Sequence, residues 1–472
     1  MLKPIEPRQN RLEMVVMEDL VPTDHLLRKL DRYLDFDFIR DQVKSLYCEN
    51  NGRPALDPVV LFKMLFIGYL FGVRSERQLV REVQVNVAYR WFLGLGLTDK
   101  VIDASTFSQN RRRRFLDSAI EQQIFDAIVQ QAMQHGLIRG EVLYTDSTHL
   151  KANANKNKWE GQTVNQTPLA YLSELERAVS EDRAAHDKPT LKASSKAAAT
   201  REIKTSTTDP ESGYMTREGK PQGFFYLDHR TVDAQHALIT DTFVSAGNVH
   251  DSRPYLDRLD RQCEVFDFVP RAVGLDAGYK TPAICLGLEQ RGIYGVIGYR
   301  RPSHKDGYLY KRLFIYDAER DTYTCPEHQI IAYRTTTREG YRQYHSDPQQ
   351  CQRCPLLSTC TNSRNTTKVI TRHVWQDSVE RVDQHRLSEA GKKLYQRRKE
   401  TVERSFADAK QLHGHRYAKF RGLRKVSGQC LLAAACQNMK KIALILARFL
   451  RFLRKQASRS WAITPTTPQY AW

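Results

Sequence analysis

The sequence predicts a mixed α/β fold, in which a sheet is flanked by helices, preceded by a helical N-terminal region and interrupted by a β-rich insertion. The first 135 residues carry helical patterns, whereas short apolar runs rich in Val, Leu and Tyr alternate with helix-forming segments after residue 136. With 472 residues, the chain is also too long for one ordinary core, which indicates two or three domains.

The N-terminal region, residues 1–135, has its clearest helix start at Asp57 and Pro58, which form an N-cap and first-turn pair. The apolar residues 59–69 continue this helix and predict that it is buried. Residues 74–95 predict a second helix, which stops at a pair of glycines.

The sheet is predicted within residues 136–299, and its strands are the apolar runs 141–146, 223–228, 237–244, 271–276 and 293–299. Residues 186–222 are rich in Lys, Ser, Thr and Ala, which predicts a long loop or a partly disordered segment. Thr281 and Pro282 form another cap and first-turn pair, which opens a helix to about Arg291.

Three further segments complete the predicted organisation. Residues 300–390 contain short β-like runs and predict the β-rich insertion. Residues 391–456 return to helical patterns as a second part of the sheet domain, and the apolar stripe in 431–453 predicts a helix that docks on the sheet and points its cations outward. Residues 457–472 form a tail.

Three acidic residues lie where these predicted elements would converge. Asp146 and Asp276 each close a short apolar run and precede turn or loop residues, so their carboxylates are expected to project from the sheet edge. Glu403 lies in a stretch of good helix formers without Gly or Pro, which can present it from a helix packed on the sheet. Helix caps or turn residues are the alternative interpretation of the two aspartates.

Other acids compete for two of these positions. Asp241 and Asp251 are alternatives for the second aspartate, but neither ends a predicted buried strand. Glu400 is the alternative for the glutamate. Glu403 precedes Lys410 by seven residues, about two helical turns, and so shares a face with it, whereas Glu400 is offset from that face.

Three converging carboxylates predict a site for hard cations such as Mg²⁺ or Mn²⁺, which prefer oxygen ligands. Two such ions held roughly 3.5–4 Å apart activate an attacking oxygen and stabilise the leaving oxygen of a phosphodiester. This is the arrangement of two-metal nucleases of the ribonuclease H type. We therefore predict a ribonuclease H-like sheet that catalyses metal-dependent cleavage and strand transfer of nucleic acid.

The charge of the chain supports a polyanionic partner. The formal net charge is +19, and residues 391–472 alone hold nineteen Lys and Arg against three acids. Such a surface attracts nucleic acid through phosphate contacts and counterion release. A ribosome-like or membrane-surface protein is the alternative, but the longest apolar windows are short or interrupted by Lys63, Arg448 and Arg451, which argues against a membrane span.

Four consecutive arginines follow a possible helix cap at residues 105–108. On a helix these side chains cannot share one face, so at least two must reach different partners. We expect contacts with the DNA backbone because Arg suits phosphate, with a solvated charge run as the alternative. The four are Arg111, Arg112, Arg113 and Arg114.

Several motifs resemble those of DDE transposases from bacterial insertion sequences, and the resemblance runs over most of the chain. The motifs are YTDST at 144–148, GNVHDS at 247–252, LDAGYK at 275–280, VERSF at 402–406 with Lys410, and RGL at 421–423. The resemblance implies that Asp146, Asp276 and Glu403 are the catalytic acids and that Lys410 contacts transposon-end DNA. The implied partners are the terminal inverted repeats, target DNA and a second copy of the chain in a synaptic complex.

One departure from the family pattern concerns a tyrosine and an arginine before the glutamate. The family places them seven and four residues before it, where this chain has Gln396 and Lys399. Tyr395 and Arg398 sit one residue earlier, and the resemblance extends a DNA-binding role to them only with that shift.

The insertion contains four cysteines, of which two have the two-residue spacing of a zinc knuckle. A structural Zn²⁺ would stabilise this loop-rich segment, with His328 as a substitute ligand, and unliganded thiols are the alternative. The four are Cys325, Cys351, Cys354 and Cys360. Nine cysteines without a recognisable signal peptide indicate a reducing compartment, and we expect a bacterial cytoplasmic protein associated with the nucleoid.

Two other functions remain possible from the sequence. A DNA-binding regulator with a degenerate nuclease fold would keep the basic surface but would have lost the catalytic acids. The three intact acids argue against this function. A ribonuclease H-like nuclease without end specificity would not need the N-terminal helical region.

Overall fold

The structure is a computed structural model that describes residues 13–48, 56–115, 118–165, 171–192, 200–216, 222–302 and 304–461. Within these ranges the N-terminal region is helical. Its α-helices are α1 (Met17–Leu20), α2 (Leu26–Tyr33), α3 (Phe38–Val43), α4 (Pro58–Leu70), α5 (Glu76–Val85), α6 (Val87–Phe92), α7 (Ala104–Asn110) and α8 (Ile120–Gln134). A 3₁₀ turn (Lys44–Leu46) follows α3, and a π-helical turn (Arg111–Phe115) follows α7.

The helix starts predicted at Asp57 and Thr281 are present, whereas residues 105–108 do not cap a helix, because they lie inside α7 and Asp103 precedes its first residue. The Asp57 side chain caps α4 by accepting a hydrogen bond from the Val59 amide at 2.9 Å, with Pro58 in the first turn. The predicted helix at 74–95 is instead two helices, α5 and α6, because Asn86 ends the first and caps the second. Its side chain accepts from the Tyr89 amide at 3.1 Å.

A six-stranded mixed sheet forms the centre of the molecule. Its strands are β1 (Val142–Lys151), β4 (Gly213–Met215), β5 (Gly223–Asp233), β6 (Ile239–Ala246), β7 (Ala272–Leu275) and β8 (Tyr294–Ile297). β5 is antiparallel to β1 on one side and to β4 and β6 on the other, whereas β7 is parallel to both β1 and β8. The chain therefore makes an antiparallel meander and then adds two parallel strands beyond β1.

Eight further helices and a pair of antiparallel strands follow β1 in the chain. They are α9 (Leu172–Ala185), α10 (Tyr255–Phe266), α11 (Pro282–Gln290), α12 (Pro348–Gln352), α13 (Leu357–Cys360), α14 (Gln376–Leu387), α15 (Glu389–Gln396) and α16 (Val402–Leu412), and the paired strands are β2 (Trp159–Asn165) and β3 (Thr200–Ser206), which α9 separates in the chain. Two 3₁₀ turns, Ala277–Tyr279 and Lys311–Leu313, complete this part. Thr281 caps α11 as expected.

The long C-terminal helix α17 (Leu423–Trp461) joins the N-terminal helices to the sheet. It packs against α2, α4, α8 and β6, so the N-terminal helices and the sheet share one continuous apolar core. Its 423–454 portion is long and apolar enough to cross a membrane, but 72% of the most apolar window is buried inside the fold. The helix is therefore the core of this assembly of elements.

The insertion contains a second, five-stranded antiparallel sheet. Its strands are β9 (Ile315–Asp317), β10 (Thr322–Thr324), β11 (Ile330–Thr336), β12 (Tyr341–His345) and β13 (Val369–His373), in the order β13-β12-β11-β10-β9. It has a small core of its own, which includes Phe314, Tyr323 and Tyr344.

Two expectations about the sheet domain were wrong. The polar segment 186–222 contains β3, which pairs with β2 in a separate two-stranded sheet, and β4, which pairs with β5, because pairing with distant strands outweighs the polar local composition. Asp146 does not end its strand, because β1 continues to Lys151 while it pairs with β5. Residues 193–199 and 217–221 of that segment, and residues 462–472 of the predicted tail, lie outside the described residues.

Candidate active site

Asp146 and Asp276 lie on neighbouring strands of the central sheet. Asp146 is within β1, and Asp276 directly follows β7, which runs parallel to β1 with Thr145 opposite Leu275. The register therefore brings the two carboxylates to the same edge region of the sheet. Asp146 is mostly buried, whereas the Asp276 side chain is 53% exposed.

Arg398 links the two aspartates. Its guanidinium donates to Asp146 Oδ2 at 2.8 Å and lies 3.6 Å from Asp276 Oδ1. The side chain is buried and also donates to the Tyr395 hydroxyl at 3.3 Å. Tyr395 reaches this position because residue 298 is Gly, where a Cβ would lie 2.6 Å from the tyrosine oxygen. Arg398 and Tyr395, predicted to bind DNA, thus have partners inside the protein.

The electrostatics of Asp146 differ from those of an ordinary surface carboxylate. Burial, together with the negative charges of Asp276 and Asp251, raises the pKa of Asp146 to about 6. Arg398 and the Ser147 amide act in the opposite direction without cancelling the effect of burial. A cation that approached this carboxylate would relieve the repulsion between the neighbouring acids.

Glu403 and Lys410 lie on one helix, α16, which packs against β1 and β5. Glu403 is in the first turn with its side chain exposed, and its amide donates to the Arg398 carbonyl at 3.1 Å. Lys410 is half-buried, and burial together with Arg416 and Arg230 lowers its pKa, while the charges of Asp146 and Asp228 raise it. Lys410 therefore lies within electrostatic range of the Asp146 site.

The three alternative acids, Asp241, Glu400 and Asp251, have different surroundings. Asp241 forms ion pairs with Arg258 and Arg261, which satisfy its carboxylate inside the fold. Glu400 is exposed in the turn that precedes α16. Asp251 lies close to the site, because its charge acts on Asp146, and its Oδ1 atom is buried without a hydrogen-bond partner.

A second charged cluster lies on the same face of the sheet. The carboxylate of the fully buried Asp228 accepts hydrogen bonds from Arg230 at 2.8 Å and from Thr242 at 2.5 Å. Its Oδ2 atom also lies 2.8 Å from His415 Nε2. Within the described residues, Asp228, His415 and Cys430 are the one group of three potential metal ligands within 4.8 Å of one another. Because Arg230 and Thr242 already saturate the carboxylate, we interpret this cluster as a structural network.

The four consecutive arginines divide into two pairs. Arg111 pairs with Glu76 and stacks on Phe420 at 4.3 Å, and Arg114 donates to Asn110 at 2.6 Å. Arg112 and Arg113 are exposed. The π-helical turn thus turns two guanidinium groups toward the protein and leaves two for other partners.

The four cysteines of the insertion line one cavity of about 330 Å³ beneath the second sheet. The Gln329 amide donates to Cys325 Sγ at 3.4 Å, and Cys351 Sγ donates to Ser346 Oγ at 3.1 Å. Burial raises the pKa of the Cys360 thiol, and the three other cysteines raise it further. The thiols are close enough to interact, but among the described residues no three of them have sulfur atoms within 4.8 Å of one another.

Sequence reasoning missed Arg230, and the contacts of Arg398 with Asp146 and Tyr395 were not foreseen. The strand prediction ended at Asp228 because the charged residues that follow it argue against burial, yet all eleven residues of β5 are buried. The signal that could have found Arg230 is the Asp-x-Arg alternation, which places both charges on the same face of a strand.

Comparison with known proteins gives two family matches. Residues 15–113 match a model described as transposase domain (DUF772), and residues 324–443 match a model described as transposase DDE domain. No curated protein matches. Among solved structures, the chain is similar to a piggyBac transposase in a cryo-EM structure of its synaptic complex with hairpin DNA. The identity is 11%, with 94% of this chain and 82% of that chain covered and a TM-score of 0.34.

Proposed function

The chain belongs to the insertion-sequence DDE transposases, and from this premise we propose that Asp146, Asp276 and Glu403 form its catalytic centre. The protein is a metal-dependent DNA transposase, since this family uses divalent metal ions. The observation that carries the assignment is the meeting of Asp146 and Asp276 around one cation, Arg398, beside the helix that bears Glu403.

The donor set of this site fits two Mg²⁺ or Mn²⁺ ions. It offers carboxylate oxygens, and burial together with neighbouring acids leaves Asp146 short of positive charge. Bound ions of this kind activate the attacking oxygen and stabilise the leaving oxygen of a phosphodiester. Asp146 would hold them from the sheet, Asp276 from the end of β7, and Glu403 from α16.

The chain's own cations have separate roles in this proposal. Arg398 holds the two aspartates in place before metal binds, since it is buried and contacts both. Lys410 lies on the face of α16 that carries Glu403 and would contact a phosphate of the strand being cut. Tyr395 keeps Arg398 oriented by accepting its hydrogen bond.

We further propose that the central sheet is ribonuclease H-like. The support is its strand arrangement, a three-stranded antiparallel meander of β1, β5 and β6 extended on the β1 side by the parallel strands β7 and β8. In this division, residues 1–135 bind DNA, residues 136–299 and 391–456 form the catalytic domain, and residues 300–390 are the insertion. Transposon ends, target DNA and a second copy in a synaptic complex are the proposed partners, in the bacterial cytoplasm at the nucleoid.

Replacement of each acid by alanine tests the catalytic centre. Metal contributions are worth several kcal/mol and about 1.4 kcal/mol corresponds to a factor of ten, so strand cleavage in Mg²⁺ should fall about a thousandfold or more. Binding to end DNA should persist, because these acids hold metal and do not read sequence. Glu400→Ala is the matched control, because Glu400 is an exposed acid in the turn before α16 and has no part in the proposed site. Full activity in any one of the three variants would remove that residue from the site, and cleavage unaffected in all three would favour a different function.

The cysteine-lined cavity is proposed to hold one structural Zn²⁺. Four thiols surround it, from the turn after β10, from α12, from the loop between α12 and α13, and from α13; metal binding would bring each sulfur to about 2.3 Å from the ion. His328 is the substitute ligand, since it lies in the turn that follows Cys325.

Metal analysis of the purified protein tests the zinc proposal. About one Zn²⁺ per chain should remain after stringent washing, and Cys354→Ser should lower it and reduce the melting temperature. Cys263→Ser, outside the cavity, is the control and should leave the zinc content unchanged. A folded, zinc-free protein with reduced thiols would contradict the proposal.

A further inference from the structure

Arg230 is the largest fully buried side chain in the described part of the molecule, and it lies directly opposite Asp146. Opposed residues of an antiparallel pair project to the same face of the sheet. Arg230 therefore extends from β5 on the face where Asp146 lies, into the space between the sheet and α16.

The Arg230 guanidinium connects three elements at once. One nitrogen, Nη1, donates to Ser405 Oγ on α16 at 3.1 Å and to Gln437 Oε1 on α17 at 2.7 Å. The other, Nη2, donates to Asp228 on β5 at 2.8 Å. The planar group also lies 4.7 Å from the centre of the Phe406 ring on α16.

A further hydrogen bond connects two of these partners to each other. Gln437 Nε2 donates to the Ser405 carbonyl at 3.0 Å, so Ser405 is held through both its side chain and its backbone. Ser405 lies two residues after Glu403, in the first turn of α16. A hydrogen-bond network that includes Arg230, the residue opposite Asp146, thus holds the helix turn that carries Glu403.

We propose that Arg230 is a positioning residue that sets the distance between Glu403 on α16 and Asp146 on β1. The inference rests on the proposed catalytic centre. A buried ion pair by itself gives little net stability, whereas the guanidinium fork can bond several partners in one fixed plane. Partners that orient metal ligands in this way commonly change metal affinity about 10- to 100-fold when they are replaced.

Two variants separate the positioning role from charge balance. Arg230→Lys keeps a positive charge beside Asp228, but a single ammonium cannot hold Ser405, Gln437 and Asp228 together. Ser405→Ala removes the hydrogen bond from Arg230 to α16 while Arg230 and Asp228 stay paired. Thr242→Val is the matched control, because Thr242 donates to Asp228 but does not contact α16.

The experiment is a titration of the full-length protein with Mn²⁺ in the absence of DNA, followed by electron paramagnetic resonance, with melting temperature recorded for each variant. Arg230→Lys should weaken Mn²⁺ binding about 10- to 100-fold and Ser405→Ala in the same direction, whereas Thr242→Val should bind as the wild type does. Arg230→Lys and Ser405→Ala both binding Mn²⁺ with wild-type affinity would overturn the inference. So would equal weakening by Thr242→Val.

Asp146→Ala distinguishes this failure from failure of the catalytic centre. If Asp146→Ala loses Mn²⁺ binding while the two positioning variants keep it, the site stands and Arg230 has no positioning role. If Asp146→Ala also binds Mn²⁺ normally, the proposed centre and the inference fall together.

Discussion

Asp146 and Asp228 lie on one face of the same sheet, and each is paired with an arginine, yet folding shifts the pKa values of their carboxyls in opposite directions. Burial alone would raise the pKa of Asp228, but Arg230, His415 and Thr242 outweigh it and hold that pKa well below its usual range. Burial raises the pKa of Asp146 to about 6, and its single arginine does not compensate. The two sites differ in the number of donors around the carboxylate.

This difference separates a structural acid from one that is available to a ligand. Asp228 has three side-chain partners that occupy both oxygens, so a metal ion would have to displace Arg230. Asp146 has one arginine partner and two neighbouring acids, and a divalent cation would add the charge that the site lacks. The cluster of Asp228, His415 and Cys430 is therefore the poorer candidate for a metal site, although its potential ligand atoms lie within 4.8 Å of one another.

The largest expected contrast is in stability. Asp228→Ala leaves the buried Arg230 guanidinium without an acidic partner, and removal of one partner from a buried ion pair costs about 3–5 kcal/mol of unfolding free energy. Asp146→Ala should cost less, because the Asp146 carboxylate is only partly compensated in the folded protein and Arg398 keeps Asp276 as a second acidic partner at 3.6 Å. Urea unfolding of both variants with a chelator present measures the difference. Equal losses would mean that the two acids are held in the same way.

The pH dependence of stability sharpens the comparison. The folded-state pKa of Asp146 is raised from 3.8 to about 6, so the folded protein keeps a proton that the unfolded chain has lost, and stability falls as pH rises through this window. Asp146→Asn removes this contribution and should gain stability relative to the wild type between about pH 4 and pH 6.

Asp228→Asn is the internal control for this pH profile. Its carboxyl pKa is lowered on folding, so its contribution is complete above 3.8 and is lost only as pH falls further. The difference from wild type should therefore be constant from about pH 5 to pH 7. A sloping profile for Asp228→Asn and a flat one for Asp146→Asn would reverse the assignment of the two acids.

The sequence predicted those features that depend on local rules. The caps at Asp57 and Thr281, the position of Asp276 after a buried strand and the helix carrying Glu403 all follow from residues within one turn or one strand. The mixed α/β class followed from the alternation of such elements.

Features that depend on long-range pairing could not be read in the same way. Asp146 appeared to end a strand because polar residues follow it, but pairing with β5 extends β1 by five residues. The burial of Asp228 and Arg230 depends on partners from α16, α17 and residue 415, far away in the chain. No local pattern specifies that such charges will meet in the interior.

The smallest expected effect concerns Lys410, which lies within electrostatic range of both Asp146 and Asp228. Asp228 is already saturated, so the positive charge of Lys410 remains available to a phosphate near the Asp146 site. Lys410→Ala should weaken binding to end DNA and reduce the slope of log affinity against log salt by about one, the value for a single lost phosphate contact.

Lys441→Met is the control, because the Lys441 ammonium is buried and donates to the Ala237 carbonyl. Binding isotherms across salt concentrations measure both. A wild-type slope for Lys410→Ala together with a reduced slope for Lys441→Met would place the phosphate contact on α17 and remove Lys410, and the helix face it shares with Glu403, from the DNA path.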